Sequence, residues 1–277
     1  MLKNKQIIIT GGTGYIGKNL IPILLKEKCR ITVLARDIDK IRHFRWFKKI
    51  DCIKFNFKKY KLNYRTLKKN STLVHLAWEG LPNYHSNIHL KKNINSHYLF
   101  IKKLIKKKII KNLIVAGTSQ EYGMQYGIQK VTSKTNPTTS YAKAKVKLYK
   151  KILLLRKYHS FKFKWMRLYY SYGKWQNKSS VFSQLSYAIS NKKKYFKMSK
   201  GDQVRDYMPI SKMITKIIEV IAKKEEGIFN ICSGNGVRLK DLIIKIIKLK
   251  KSKIKLKLGY FPYLSYEPKY FWGESSI

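Results

Sequence analysis

The sequence predicts an α/β fold, a doubly wound parallel sheet followed by a smaller carboxy-terminal part, and three observations carry that expectation. Short apolar runs alternate with longer amphipathic stretches through the first half of the chain, the order that gives a parallel sheet covered by helices. A glycine-rich turn, Gly11-Gly12-Thr13-Gly14-Tyr15-Ile16-Gly17, stands directly after the first apolar run and opens the first helical stretch. The 277 residues, 44% of them hydrophobic, suffice to bury a core of that size.

Each element follows from its own pattern. Gln6 to Thr10 is a short buried strand ending in glycines. Residues 15 to 27 carry Ile16, Leu20, Ile23 and Leu24 at helical spacing. Ile31 to Ala35 is the second strand, and Leu73 to Ala77 and Asn112 to Ala116 are two more. Between those two, residues 88 to 109 predict one long lysine-rich helix. Pro137, Thr138, Thr139 and Ser140 mark a helix start, and that helix is expected to run through Tyr141 to about Tyr158. Lys164 to Leu168 is the next strand. Beyond it the pattern loosens, with loops near Gly173 to Ser180 and Gly201 to Asp206. No repeat or linker separates the halves. The expected division is residues 1–168 for the sheet domain and 169–277 for a second part intertwined with it.

Composition excludes several classes. Sixty-one Lys and Arg against 14 Asp and Glu give a net charge of +47. The lysines are dispersed along the whole chain, and Lys, Ile, Asn, Tyr and Phe are over-used together. That pattern fits a coding bias carried on solvated faces better than a reading surface for nucleic acid. No specific nucleic-acid partner is expected. The three cysteines form no CxxC pair, which argues for a reducing compartment and against a zinc site. Lysines interrupt every Ile-rich segment, so no membrane span is expected, and the start leaves no room for a signal peptide. The expected location is cytoplasmic.

The glycine turn carries chemistry as well as shape. Gly11 permits the tight turn, Gly14 lets backbone approach a pyrophosphate, and Gly17 allows close packing of helix on strand. The N–H groups around Thr13, Tyr15 and Ile16 at the helix start then face the phosphates. This is a Rossmann-type dinucleotide site with GxxGxxG spacing. At the end of the second strand an acidic residue would bind the ribose of NAD, whereas an Arg accommodates the extra phosphate of NADP. The chain reads Ala35-Arg36-Asp37 there, so NADP(H) is expected, and Asp37 keeps NAD(H) open.

Tyr141 and Lys145 are four residues apart on one helix face. A phenol ionises near ~10 and serves poorly at neutral pH unless a nearby cation stabilises its anion. Lys145 is expected to supply that cation and so make Tyr141 a usable proton donor.

With Val115-Ala116-Gly117-Thr118-Ser119-Gln120-Glu121-Tyr122-Gly123 before that helix, the chain resembles the extended short-chain dehydrogenase/reductase family, also known as the NAD-dependent epimerase/dehydratase family. Pro137-x-x-Ser140-Tyr141, Arg167 to Gly173, Gly201 to Tyr207 and Phe229-Asn230-Ile231 fall in family order. The resemblance implies a cofactor in the amino-terminal domain, a nucleotide-sugar in the smaller part, and a homodimer formed through residues 88–109 and 140–158. It selects Thr118, Tyr141 and Lys145 as the catalytic set. It adds Asn56, Phe57, Leu76, Ala77, Trp78, Asn93 and Tyr169 to the cofactor contacts, alongside Tyr141 and Lys145. It puts Trp78, Tyr84, Thr118 and Arg205 against the substrate. Asn56 departs from the Asp often found near the adenine. Arg205 is expected on the nucleotide diphosphate, the plain alternative being a surface ion pair with Asp206.

The stretch His75 to Tyr84 and the tail around Gly259 to Tyr263 and Phe271 to Gly273 resemble the nucleotide-sugar 4-ketoreductases of that family. Dehydratases of the family place an Asp-Glu pair directly after the catalytic Thr. Here those positions are Ser119 and Gln120, which do not titrate usefully. Glu121 comes one residue later, on a segment expected to be extended and to turn it to the opposite face. Reduction of a 4-keto-6-deoxyhexose is therefore the expected reaction. An epimerase with tightly bound NAD, or a non-catalytic dinucleotide-sensing protein, is the alternative.

Overall fold

The apolar runs become strands, and their alternation decides which helices cover them. The structure, a computed structural model, describes residues 2–57, 62–263 and 265–277. Within these residues one sheet has seven strands: β1 (Gln6–Thr10), β2 (Arg30–Ala35), β3 (Asp51–Lys54), β4 (Ser71–His75), β5 (Ile110–Thr118), β6 (Lys162–Leu168) and β7 (Gly227–Ile231). All pair in parallel, in the order β7-β6-β5-β4-β1-β2-β3. The order reverses at β1 and β4, the switch point where such sheets bind ligands outside their carboxyl ends.

Six longer helices accompany the sheet among the described residues: α1 (Tyr15–Lys26), α2 (Ile94–Lys106), α3 (Ser140–Leu155), α4 (Val181–Ser190), α5 (Ile210–Ala222) and α6 (Leu239–Leu249). Successive strand residues face opposite sides. Ile7 and Ile9 of β1 join Leu20, Ile21 and Leu24 of α1 and Ile214 and Ile217 of α5 in one core. Ile8 lies with Phe100, Ile101 and Leu104 of α2 and Leu148 and Ile152 of α3 in the other. Both faces are covered, so the strands read as continuous apolar runs. A third cluster joins α4 and α6 through Leu185, Phe196, Leu239 and Ile243. Strand β7 enters the central sheet from beyond residue 168, pairing Gly227–Ile231 with Lys164–Leu168.

Three sequence-based boundaries change. The helix expected over residues 88 to 109 opens as a π-turn, His89–Asn93, and continues as α2. Its wide first turn carries two buried polar residues, His89 and Asn93, that bond back to the loop after β4. The helix expected from Pro137 starts at Ser140, where the Thr139 hydroxyl accepts the Ala142 N–H at 3.1 Å and caps it. It ends at Leu155 rather than near Tyr158. The segment after Thr118 is not extended; Ser119–Tyr122 is a 3-10 turn closed by a capping box.

Short strands build the second part against the carboxyl edge of the sheet. Val204–Arg205 pairs with Tyr270–Gly273, which pairs in turn with Gly127–Gln129. No helix among the described residues is long and apolar enough to cross a membrane.

Candidate active site

The glycine turn is fixed by sterics. Gly11 has φ +76°, and a Cβ there would lie 2.7 Å from the Ala77 nitrogen and 2.8 Å from the Leu76 carbonyl carbon. Only glycine lets β1 end this close to the chain leaving β4. A Cβ on Gly17 would lie 2.4 Å from the Gly11 oxygen. Gly14 is different, since its nearest neighbour would be the Gly11 oxygen at 3.2 Å. Gly14 is also the N-cap of α1 and has no side chain to cap it, so the N–H groups of the first turn are left for an outside acceptor. Thr13 precedes that turn, and Tyr15 and Ile16 form it while packing partly into the core. These residues fit the pyrophosphate of a dinucleotide.

Strand β5 and helix α3 assemble the catalytic set. Thr118 is the last residue of β5, and Tyr141 and Lys145 lie on the buried side of α3. The Lys145 ammonium is 1% exposed, donates to the Ala116 carbonyl at 2.7 Å and sits 4.0 Å from the centre of the Trp78 ring. Burial pushes it down to about 7, with the Glu121 charge working against that shift. The Tyr141 phenol is raised above its ordinary value by burial first, then by Tyr84 and Glu121; the hydrogen bond with Thr118 opposes them. Lys145 is not among the groups that shift Tyr141 in the chain alone. The ammonium is turned to Ala116 and Trp78, and its own positive charge is weakened by burial. Tyr141 is therefore held protonated, the state a proton donor needs.

Glu121 sits beneath this set. Its carboxylate accepts the Thr118 N–H at 2.9 Å, the Trp165 indole N–H at 3.0 Å and the Arg167 Nε at 3.0 Å. Burial raises its carboxyl from the usual range, and Arg167 pulls it back. Sequence reasoning turned Glu121 away from the site as a consequence of extended backbone; a capped 3-10 turn and a buried ion pair do it instead. The pairing with Arg167, on β6 forty-six residues away, left no local signal.

The loop after β4 is pinned by histidines. The Trp78 indole N–H donates to His89 Nδ1 at 3.1 Å, and His89 Nε2 donates to the Asn83 carbonyl at 2.7 Å. Thr10, His75 and His97 form a buried chain with both links at 2.8 Å. Burial lowers both imidazoles, His75 to about 3, so the chain is neutral. Trp78 stacks on His97, with centroids 4.8 Å apart, and approaches Tyr141 at 6.0 Å. Sequence reasoning missed His89 and His97, whose helical spacing looked like that of an ordinary core face.

Beyond Tyr84 opens a cleft of about 790 Å³, walled by Tyr84, Tyr126, Tyr170, Gln203, Arg205, Tyr207 and Glu267. Tyr84 packs 5.6 Å from Tyr141, centroid to centroid, and its carbonyl accepts the Tyr141 N–H at 2.9 Å. Arg205 is 3% exposed. It donates to the carbonyls of Val204 and Lys269 and pairs with Glu267 at 3.5 Å. The alternative pairing with Asp206 does not occur, because that carboxylate accepts the N–H groups of Ser233 and Gly234.

The other expected cofactor contacts have the following surroundings in the chain alone. The Phe57 ring is buried against His97, Phe55 and Phe100. Tyr169 stacks on Phe271 under Gly273, where a Cβ would come within 2.7 Å of the tyrosine ring. The Asn93 amide donates to the Glu79 carbonyl at 2.9 Å and holds a loop. Asn56 follows β3 and is partly exposed. Leu76 and Ala77 abut Gly11. Arg36, expected to await a phosphate, is paired with Glu79 at 2.5 Å.

Fold, glycine turn and Thr-Tyr-Lys set define a dinucleotide-dependent enzyme class, and comparison with known proteins gives the family. Residues 7–232 match the NAD dependent epimerase/dehydratase family, and the chain belongs to it. Over 272 residues it is 29% identical to dTDP-6-deoxy-L-talose 4-dehydrogenase (NAD(+)) of Aggregatibacter actinomycetemcomitans, covering 97% of this chain and 99% of that one. It is 26% identical to dTDP-4-dehydro-6-deoxyglucose reductase of Escherichia coli, covering 91% and 84%. Among solved structures, UDP-N-acetylglucosamine 4-epimerase from Methanobrevibacter ruminantium M1 superposes with a TM-score of 0.86 at 18% identity, covering 99% of this chain and 90% of that one. UDP-glucuronic acid 4-epimerase from Bacillus cereus, in complex with NAD, gives 0.80 at 17%, covering 98% and 90%.

Proposed function

We propose that the protein reduces the 4-keto group of a nucleotide-linked 6-deoxyhexose with a nicotinamide dinucleotide. The observation that carries this reading is the carboxylate arrangement around the Thr118-Tyr141-Lys145 set. The Tyr141 ring packs against Tyr84 of the cleft wall, while Ser119 and Gln120 take the positions where a dehydratase needs an acid and a base. Glu121 is held by Arg167 below them. The two relatives named above act on dTDP-linked deoxy sugars by name, which supports the same substrate class.

When bound, the dinucleotide supplies the hydride. The chain supplies the rest. The Thr118 hydroxyl and the Tyr141 phenol both turn to the substrate oxygen. Tyr141 gives its proton to that oxygen as negative charge develops there. Lys145 Nζ lies 5.8 Å from the centre of the Tyr141 ring and, with two donors left beyond Ala116, can bind ribose hydroxyls. Gly11, Gly14 and Gly17 bring backbone N–H groups to the pyrophosphate. Tyr84 and Tyr126 offer ring faces to the sugar or base, and Lys269 gives the cleft a positive charge suited to a diphosphate, whereas Arg205 is engaged by Glu267 and would meet it only on leaving that pair. NADP(H), expected from Arg36, loses its support once that side chain is paired with Glu79. Two copies joined through α2 and α3 are proposed as the assembly, on the family resemblance.

The test is incubation with two substrates in parallel. dTDP-4-keto-6-deoxyglucose with reduced dinucleotide should consume the cofactor, and dTDP-glucose with oxidised dinucleotide should yield no keto sugar. Keto sugar formed from dTDP-glucose would make the protein a dehydratase.

A further inference from the structure

The choice between NAD and NADP rests, in the sequence, on the residues that end β2. In the structure an acid from the loop after β4 reaches that end. Asp37, the nearest acid on β2's own loop, is exposed and paired with Lys40 at 3.2 Å. Arg36 reaches instead across the carboxyl end of β1 to Glu79, on the loop after β4. β2 and β4 flank β1 on either side, so this ion pair crosses the crevice that starts at Gly11.

Glu79 is the better fixed of the two partners. Its side chain is 14% exposed against 57% for Arg36. Its carbonyl is held by the buried Asn93 amide at 2.9 Å. The next residue, Gly80, has φ +87°, and a Cβ there would lie 3.0 Å from the His89 ring. An exposed ion pair contributes little to stability, so the location of this one matters more than its energy.

We infer that Glu79 selects the cofactor, serving as the acid that recognises the adenosine ribose of NAD and turning away the additional phosphate of NADP. A carboxylate accepts hydrogen bonds from ribose hydroxyls, the role an acid at the end of the second strand usually fills. It also repels a phosphate dianion and occupies the guanidinium that would otherwise receive it. The acid required for NAD is thus delivered from β4, where a reading of the β2 end does not look for it. This rests on the dinucleotide crevice of the proposed function but not on the sugar.

Direct binding of NADH and NADPH, followed by nicotinamide fluorescence with no sugar present, tests it. The unmodified protein should bind NADH more tightly. Glu79→Gln, which keeps the shape and removes the charge, should shift the Kd ratio toward NADPH by about tenfold or more, the effect of one charged contact. Glu79→Asp should retain the preference for NADH, and adding Arg36→Ala to Glu79→Gln should erase the gain for NADPH. A folded Glu79→Gln protein with an unchanged ratio, or an unmodified protein that prefers NADPH, would overturn the role of Glu79. Binding of neither dinucleotide would overturn the proposed function with it.

Discussion

The glycine crevice and the proposed substrate cleft are built differently. The crevice is backbone set by sterics: Gly11 and Gly17 leave no room for a Cβ, and the N–H groups of α1 point outward. The cleft is side chain set by tertiary contact. Tyr84, Tyr126, Tyr170, Arg205 and Glu267 come from five separate stretches of chain. Between them lies the catalytic set, with Thr118 on a strand and Tyr141 and Lys145 on a helix. A site held by backbone keeps its shape under side-chain changes, whereas one held by buried pairs fails when a partner is removed.

That contrast can be tested by mutation. The largest effect belongs to Tyr141, the proposed proton donor. Tyr141→Phe should lower kcat by about 10²–10⁴-fold, the usual worth of a positioned acid, and leave the Kd for NADH unchanged. Retention of more than a tenth of the rate would remove Tyr141 from the mechanism.

Next comes the buried support of the set. Glu121→Ala leaves Arg167 buried without its carboxylate and should cost about 3–5 kcal/mol in denaturant unfolding. Glu267→Ala, on the more open cleft wall, should cost less. Equal costs would mean that the two sites are supported alike.

The glycine turn sharpens the comparison. Gly11→Ala adds a Cβ 2.7 Å from backbone at φ +76° and should both destabilise the fold and abolish dinucleotide binding. Gly127 shares the positive φ, +78°, but a Cβ there meets nothing within 4 Å. Gly127→Ala should cost only the strain, about 1–2 kcal/mol. If the two variants behaved alike in dinucleotide binding, close approach at Gly11 would not matter.

The smallest effect concerns Lys145. Its ammonium falls from 10.5 to about 7 on burial, so the folded state disfavours the charged form. The unfolded chain binds more protons between those values, and stability therefore rises with pH across that window. The cost of burying the charge is full below about 7 and gone above 10.5. Lys145→Met should gain about 1 kcal/mol of stability near neutral pH while losing activity, a trade expected at active sites. The gain should shrink as pH rises. A gain independent of pH would show that Lys145 is not buried as a charge.

The same contrast explains what could be read from the sequence. The five strands named from apolar runs, the glycine turn and the Tyr141–Lys145 spacing are local patterns, and each stands in the structure near where its residues predict. β3 was not foreseen because Asp51–Lys54 is short and none of its residues is buried, which leaves no apolar run. Glu121 with Arg167, Arg205 with Glu267 and Arg36 with Glu79 join residues 46, 62 and 43 positions apart. Charged pairs of that separation have no period. Arg36 illustrates the cost: read beside Ala35 it pointed to a phosphate, whereas its partner arrives from β4.

The central claim is that hydride goes directly to a sugar carbonyl and that Tyr141 protonates the oxygen, with no acid–base chemistry at the neighbouring carbons. Reduction of dTDP-4-keto-6-deoxyglucose with deuterated reduced dinucleotide, followed by NMR of the product, measures this. The account predicts deuterium from the carrier at C4 and, in a parallel run in deuterated water, no solvent label at C5 or C6. Solvent label at C5 would show that a base acts on the sugar ring and would contradict it.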